Sequence, residues 1–267
     1  MVVAAYDVSE VANATYALNH GNVPTARELA NISLSELAAQ GADTWLLSPP
    51  CQPFCRMGNH MGLQDRRSRA FRHLMELFRQ APPDHLILEN VGGFLGSDAH
   101  ALLTERVRAH GMHQLDLEGC PSRFGLPNQR PRVFVVASRK PLQPIPLPDL
   151  APRALSDFLD ATEDQALYLP PEVLTRHRRG LDLVESADRR STCFIGGYGR
   201  RFVGSGSFLL TGCGVRRFSP VEVARLHGLP DGFHFPDDLS LELRYRLLGN
   251  GLSIPVAAWA LDHLVDL

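Results

Sequence analysis

A chain of 267 residues that is 44% hydrophobic and 21% charged has the size and balance of one substantial domain, or of a domain with a smaller lobe, and excludes a disordered protein. No apolar run reaches the roughly 18 residues a membrane-spanning helix needs, and the N-terminus has no basic stretch leading into an apolar core, so a cytoplasmic protein without membrane attachment is expected. The net charge of −2 creates no global field toward nucleic acid, so any such binding must come from local clusters. Five cysteines, an odd number with no export signal, point to reduced thiols rather than a disulfide framework.

In chain order, residues 2–6 read as a buried strand ending at Asp7, and residues 9–19 follow with helical spacing of Val11, Thr15 and Leu18. Ser33 and Glu36 form a capping box that opens a short second helix. Residues 44–48 are a strand running into Pro49-Pro50-Cys51-Gln52-Pro53-Phe54, where three prolines rule out regular structure. A helix is predicted over 66–80, with Phe71, Leu74, Met75 and Phe78 on one face. Strands follow at 85–89, ending in Glu89, and at 132–137. Strand-like runs alternating with helix-like ones predict a doubly wound α/β domain with a parallel sheet. Five prolines between 141 and 152 mark a stiff connection, after which the alternation stops. The expected organisation is a catalytic domain at 1–140, a linker and recognition lobe at 141–240, and a segment returning to the catalytic domain at 241–267. Residues 193–214, rich in glycine and arginine, read as loops and short strands, and residues 247–251 as a turn entering a helix at 253–264.

Between 176 and 217 stand nine arginines, at 176, 178, 179, 189, 190, 200, 201, 216 and 217, against Asp182, Glu185 and Asp188. Lys140 is the only lysine of the chain, so its basic chemistry is guanidinium chemistry, suited to bidentate phosphate contact. Charge alone does not separate that use from a solvated surface.

Cys51 sits in a stiff loop after a strand, a sound way to present a thiolate nucleophile. A free thiol has a pKa of about 8.5, so nearby positive charge, from Arg56 or a later arginine, would assist it. Read alone, a cysteine in a proline-rich loop is more often structural. A zinc site from Cys51, Cys55 and His60 has poor ligand spacing and no second ligand pair, so no metal is expected.

The surrounding motifs change the weight. Pro49-Pro50-Cys51-Gln52-Pro53-Phe54 resembles the nucleophile loop of the cytosine-C5 methyltransferases, and Glu89-Asn90-Val91 their acidic strand-end motif. Asn128-Gln129-Arg130-Pro131-Arg132 is similar to their paired-arginine motif, Arg217-Phe218-Ser219-Pro220-Val221-Glu222 to a segment supporting the recognition lobe, and Tyr245-Arg246-Leu247-Leu248-Gly249-Asn250 to their C-terminal motif. The matches keep the family's order and extend over nearly the whole chain.

The resemblance implies a Rossmann-like methyltransferase sheet with a small target-recognition lobe, S-adenosylmethionine as cofactor, and nucleic acid as partner. It makes Cys51 the nucleophile that adds to C6 of cytosine, with Glu89 on the N3/N4 edge and Arg130 on the O2 side. Asp7, Pro49 and Asn250 fall at cofactor-binding positions. Gln52, Asn90, Arg132, Cys193, Phe194, Tyr198 and Arg200 fall at substrate-binding ones, with Arg132 read mainly as structural. Cys193-Phe194-Ile195-Gly196-Gly197-Tyr198-Gly199-Arg200 is similar to the recognition lobe of the branch that methylates an anticodon-loop cytosine of tRNA. Ile195 and Cys55 stand where that branch favours threonine, so DNA stays an alternative substrate.

The family's N-terminal glycine-rich turn, Phe-x-Gly-x-Gly-Gly, is not found in these residues, so the sheet is expected to lack its first strand, which would lie between those at 2–6 and 44–48. Three readings follow: an enzyme whose start lies upstream of Met1, an inactive nucleic-acid-binding relative, and a subunit completed by another chain. The DNA preceding the Met1 codon distinguishes the first. Calorimetry with S-adenosylmethionine is expected to show weak or no binding by these 267 residues.

Overall fold

A computed structural model describes residues 1–52, 61–162 and 164–264. The chain divides into two compact units, the first comprising Met1–Gly119, Pro131–Pro146 and Ala258–Leu267, the second Cys120–Arg130 and Leu147–Ala257. This differs from the three consecutive segments expected from sequence: the chain passes between units four times, and residues 120–130 and most of 241–267 belong to the second.

In the first unit, α1 (Glu10–His20) starts at Ser9, whose side chain accepts from Ala12 N, and stops at Gly21 in the left-handed conformation. α2 (Leu34–Ala38) carries the complete Ser33–Glu36 capping box. Then come β1 (Thr44–Leu47), α3 (Arg69–Gln80), β2 (His85–Asn90), α4 (Asp98–Ala109), β3 (His113–Gly119) and β4 (Arg132–Ser138). These strands form one sheet in the order β1-β2-β4-β3. β1 and β2 are parallel, Leu47 opposite Leu88, whereas β4 is antiparallel to both of its neighbours. The sheet is therefore mixed rather than wholly parallel. The missed strand β3 accounts for the difference, because its return as β4 places an antiparallel strand in the middle.

Every residue of β2 is buried. Leu86, Leu88, Val133, Val135 and Ala137 share a core with Phe71, Leu74, Met75 and Phe78 of α3 and with Leu103 and Val107 of α4. The intervening Ile87, Phe134 and Val136 are also at most 2% exposed, so both faces of the central strands are covered.

Residues 2–6 do not form the expected strand. Among the described residues their pairing is limited to an isolated parallel bridge of Tyr6 with Thr25, through Thr25 N to Ala5 O at 2.8 Å and Asp7 N to Thr25 O at 3.3 Å. β1 is thus an edge strand, and Val2, Val3 and Leu46 remain exposed.

The second unit contains α5 (Pro171–His177), β5 (Asp182–Val184), β6 (Ser207–Thr211), β7 (Gly214–Arg217), α6 (Pro220–Leu226) and α7 (Leu241–Asn250), with a three-stranded sheet β5-β6-β7. The last helix, α8, runs over Ile254–Leu261. Phe194, Tyr198, Phe208, Phe218 and Tyr245 build the core of the second unit. α6 opens with a second capping box, Ser219 and Glu222, and Glu222 also pairs with Arg216 at 2.8 Å, both side chains at most 4% exposed. Residues 247–250, expected as a turn, lie inside α7. Gly249 is the reason the helix can sit there: a Cβ on it would come within 2.0 Å of Gly196 N and 2.2 Å of Ile195 C.

Candidate active site

The strand order of the first unit gathers Ser48, Glu89 and Arg132, with Cys51 in the loop that follows Ser48. β1 and β2 run in parallel, so Ser48, just past β1, meets Glu89 at the end of β2, and its hydroxyl donates to Glu89 Oε2 at 2.8 Å. β4 runs antiparallel to β2, so its first residue lies beside the end of β2, and Arg132 Nε reaches Glu89 Oε1 at 3.1 Å. Three adjacent strands thus converge on one carboxylate that is only 7% exposed.

The loop that carries Cys51 is tied to the same strand. Asn90 Nδ2 donates to the carbonyl of Pro49 at 3.1 Å, while its own Oδ1 accepts from Val91 N. Asn90 is 1% exposed, with its amide engaged on the backbone of the loop. Cys51, two residues beyond Pro49, is a half-buried thiol outside any disulfide, and Gln52 is exposed. Pro53, Phe54, Cys55, Arg56 and His60 lie outside the described residues, and with them the zinc alternative and the proposed help from Arg56.

The two arginines of the paired motif part company. Arg130, 2% exposed, belongs to the second unit, where Nη1 donates to Phe194 O at 3.1 Å and lies 3.1 Å from Cys193 Sγ. Its Nη2 donates to the carbonyls of Gly249 and Gly251 at 2.9 and 2.7 Å. Arg130, expected to face the base, has its fork on backbone carbonyls, and Arg132, read as structural, is the arginine on the acid. Two more expected substrate contacts are corrected. Phe194 and Tyr198 are at most 1% exposed, packed edge-to-face at 5.0 Å, and the Tyr198 hydroxyl donates to Ser207 O and accepts from Phe218 N. Burial lifts the Tyr198 and Tyr245 hydroxyls well above the usual tyrosine range, so both act as neutral core donors. Cys193 is half-buried, and Arg200 is exposed and paired with Glu242 at 3.1 Å.

Of the cofactor positions, Asp7 is exposed, with Oδ1 accepting from Ser9 N at 2.7 Å; a carboxylate so placed has the acceptor chemistry for the vicinal hydroxyls of a ribose. Pro49 gives its carbonyl to Asn90, and Asn250 is exposed at the end of α7 in the second unit. Ser48 escaped the sequence reading, although a polar residue closing a strand next to a proline loop was the available signal.

A half-buried thiol in the loop after β1 and a buried acid at the end of the parallel strand β2 lie at the carboxyl ends of neighbouring strands, where α/β folds carry their chemistry. The family description C-5 cytosine-specific DNA methylase matches residues 1–170 and 185–265. The chain is 30% identical to the Homo sapiens protein named tRNA (cytosine(38)-C(5))-methyltransferase, over 99% of this chain and 93% of that protein. Among solved structures it is similar to the Entamoeba histolytica methyltransferase EhMeth, at a TM-score of 0.92 and 25% identity over 97% of this chain and 88% of the other. It is also similar to the Schizosaccharomyces pombe Dnmt2 methyltransferase, at 0.88 and 26% over 98% and 90%. The chain belongs to the cytosine-C5 methyltransferase family, whose methyl donor is S-adenosylmethionine and whose fold is Rossmann-like.

Proposed function

We propose that the chain acts on a cytosine in the anticodon loop of tRNA, with Cys51 as nucleophile and Glu89 as the acid that activates the ring. The observation that carries the chemistry is the buried Glu89 carboxylate, clamped by Ser48 and Arg132 on the strand that also anchors the Cys51 loop. The substrate is supported by the relatives aligned over nearly the whole chain, which are named tRNA (cytosine(38)-C(5))-methyltransferase.

In this reading the target base is unstacked from its loop, because C6 is unreachable in the stack. The Cys51 thiolate adds to C6 and pushes an electron pair toward N3. Glu89 donates a proton to N3 as that charge builds, and Arg132 and Ser48 hold the carboxyl in place. C5 is then nucleophilic. S-adenosylmethionine, when bound, would supply the electrophilic methyl group, and Asp7 would be the residue to hold its ribose hydroxyls. Loss of the C5 proton to water, return of the N3 proton to Glu89 and departure of the Cys51 thiolate restore the aromatic ring.

Thiol addition can be read without the methyl donor, because the adduct exchanges its C5 hydrogen with water. tRNA carrying tritium at cytosine C5 is expected to release it with the parent protein and not with Cys51→Ala. A 5-fluorocytosine tRNA, incubated with S-adenosylmethionine, is expected to remain covalently attached to Cys51. Release by the alanine variant would move the nucleophile elsewhere, and release from duplex DNA but not from total tRNA would replace the substrate.

A further inference from the structure

The nine arginines between 176 and 217 fall into two groups in the second unit. Arg216 is buried against Glu222, Arg190 pairs with Asp182 at 2.8 Å and Arg200 with Glu242. Arg189 donates to Pro152 O and Arg217 to Tyr198 O. Arg176, Arg178, Arg179 and Arg201 are all exposed, and among the described residues none has a carboxylate within ion-pair distance.

These four are held close together. The His177 ring stacks on Phe202 at 5.2 Å and 24°, and the Arg217 guanidinium lies 4.9 Å from the centroid of the Phe202 ring. Gly180 lets the turn after α5 approach the neighbouring segment, since a Cβ there would come within 2.7 Å of Val203. The stack therefore fixes the arginine-bearing end of α5 beside Arg201, whose amide is anchored on Gly197 O at 2.8 Å. The carbonyl end of a seven-residue helix rewards a cation or two of its own, but Arg201 stands on a different segment and gains nothing from it.

We propose that this patch is a phosphate clamp for the RNA, with Arg178, Arg179 and Arg201 on backbone phosphates. It rests on the reading that RNA is the substrate. Uncompensated guanidiniums on a rigid turn provide sequence-independent affinity, and the stack spares the binding step the cost of ordering them.

The test is filter binding of a transcribed tRNA across a salt series, comparing the parent with a variant carrying Arg178→Gln, Arg179→Gln and Arg201→Gln. Removing three contacts is expected to flatten the slope of log K against log salt by about 2 and to weaken binding about tenfold or more near 0.1 M salt. Thermal unfolding is expected to be unchanged. An unchanged slope in a variant that still releases tritium from C5 would overturn the clamp alone. A parent that neither binds tRNA nor releases tritium would remove the substrate reading and the clamp with it.

Discussion

Glu89 shows how one side chain acquires a role from its neighbours. The carboxylate accepts from Ser48 and pairs with Arg132, so its orientation is set by β1 and β4 as well as by its own strand. Glu89→Gln removes the transferable proton and is expected to slow tritium release about 100-fold or more. Arg132→Ala is expected to slow the same reaction strongly while lowering stability more modestly, by about 1–3 kcal/mol, because it leaves the buried Glu89 without its cation although Arg132 itself is still partly exposed. Arg130→Ala should behave in the opposite way. It strands the carbonyls of Phe194, Gly249 and Gly251 in the second unit, and a loss of about 2–5 kcal/mol is expected in urea unfolding. Sequence identified the acid and the pair of arginines. It did not say which arginine meets the acid, because Arg132 begins β4 while Arg130 precedes it, and that boundary depends on pairing with β2 and β3.

At the level of elements, the second unit is pinned by Asp182 on β5, which accepts from Ser207 on β6, from Thr192 and from Arg190. Burial by itself would raise the Asp182 carboxyl, but these donors outweigh it and hold the group below its ordinary value. A carboxylate lowered on folding contributes stability that is complete above its unfolded pKa and disappears as pH falls through the folded one. Asp182→Asn is therefore expected to lower stability at pH 7 and to lessen the further loss of stability below about pH 4, as followed by thermal unfolding at each pH. Gly249 makes a second case. Gly249→Ala forces α7 away from residues 195 and 196, with an expected cost of at least about 1–3 kcal/mol, read as a lower melting temperature. Helices with local signals were legible: the spacing of Val11, Thr15 and Leu18 for α1, the Ser33 box before α2 and the apolar face of α3. β3 was not, because its alternating residues are only partly buried and its identity rests on pairing with β4.

On the scale of the molecule, the sheet of the first unit presents β1 as an edge with Leu46 56% exposed, near the start of a chain whose Val2 and Val3 are exposed as well. An apolar, unpaired edge invites pairing with other chains. Leu46→Lys is expected to raise the concentration at which light scattering sets in, with no change in melting temperature.

The sequence by itself determined the local features: a thiol in a proline-stiffened loop, an acid at a strand end, the Ser33–Glu36 capping box and the family to which these motifs belong. They are written in consecutive residues and in short periods, so no distant partner is needed to read them. Tertiary structure decided that β4 runs against its neighbours, that Phe194 and Tyr198 are core rather than contact residues, and that Arg132 rather than Arg130 stands on Glu89. Those outcomes rest on pairs such as Ser48 with Glu89 and Arg130 with Gly251, 41 and 121 positions apart, which only packing brings within hydrogen-bonding distance.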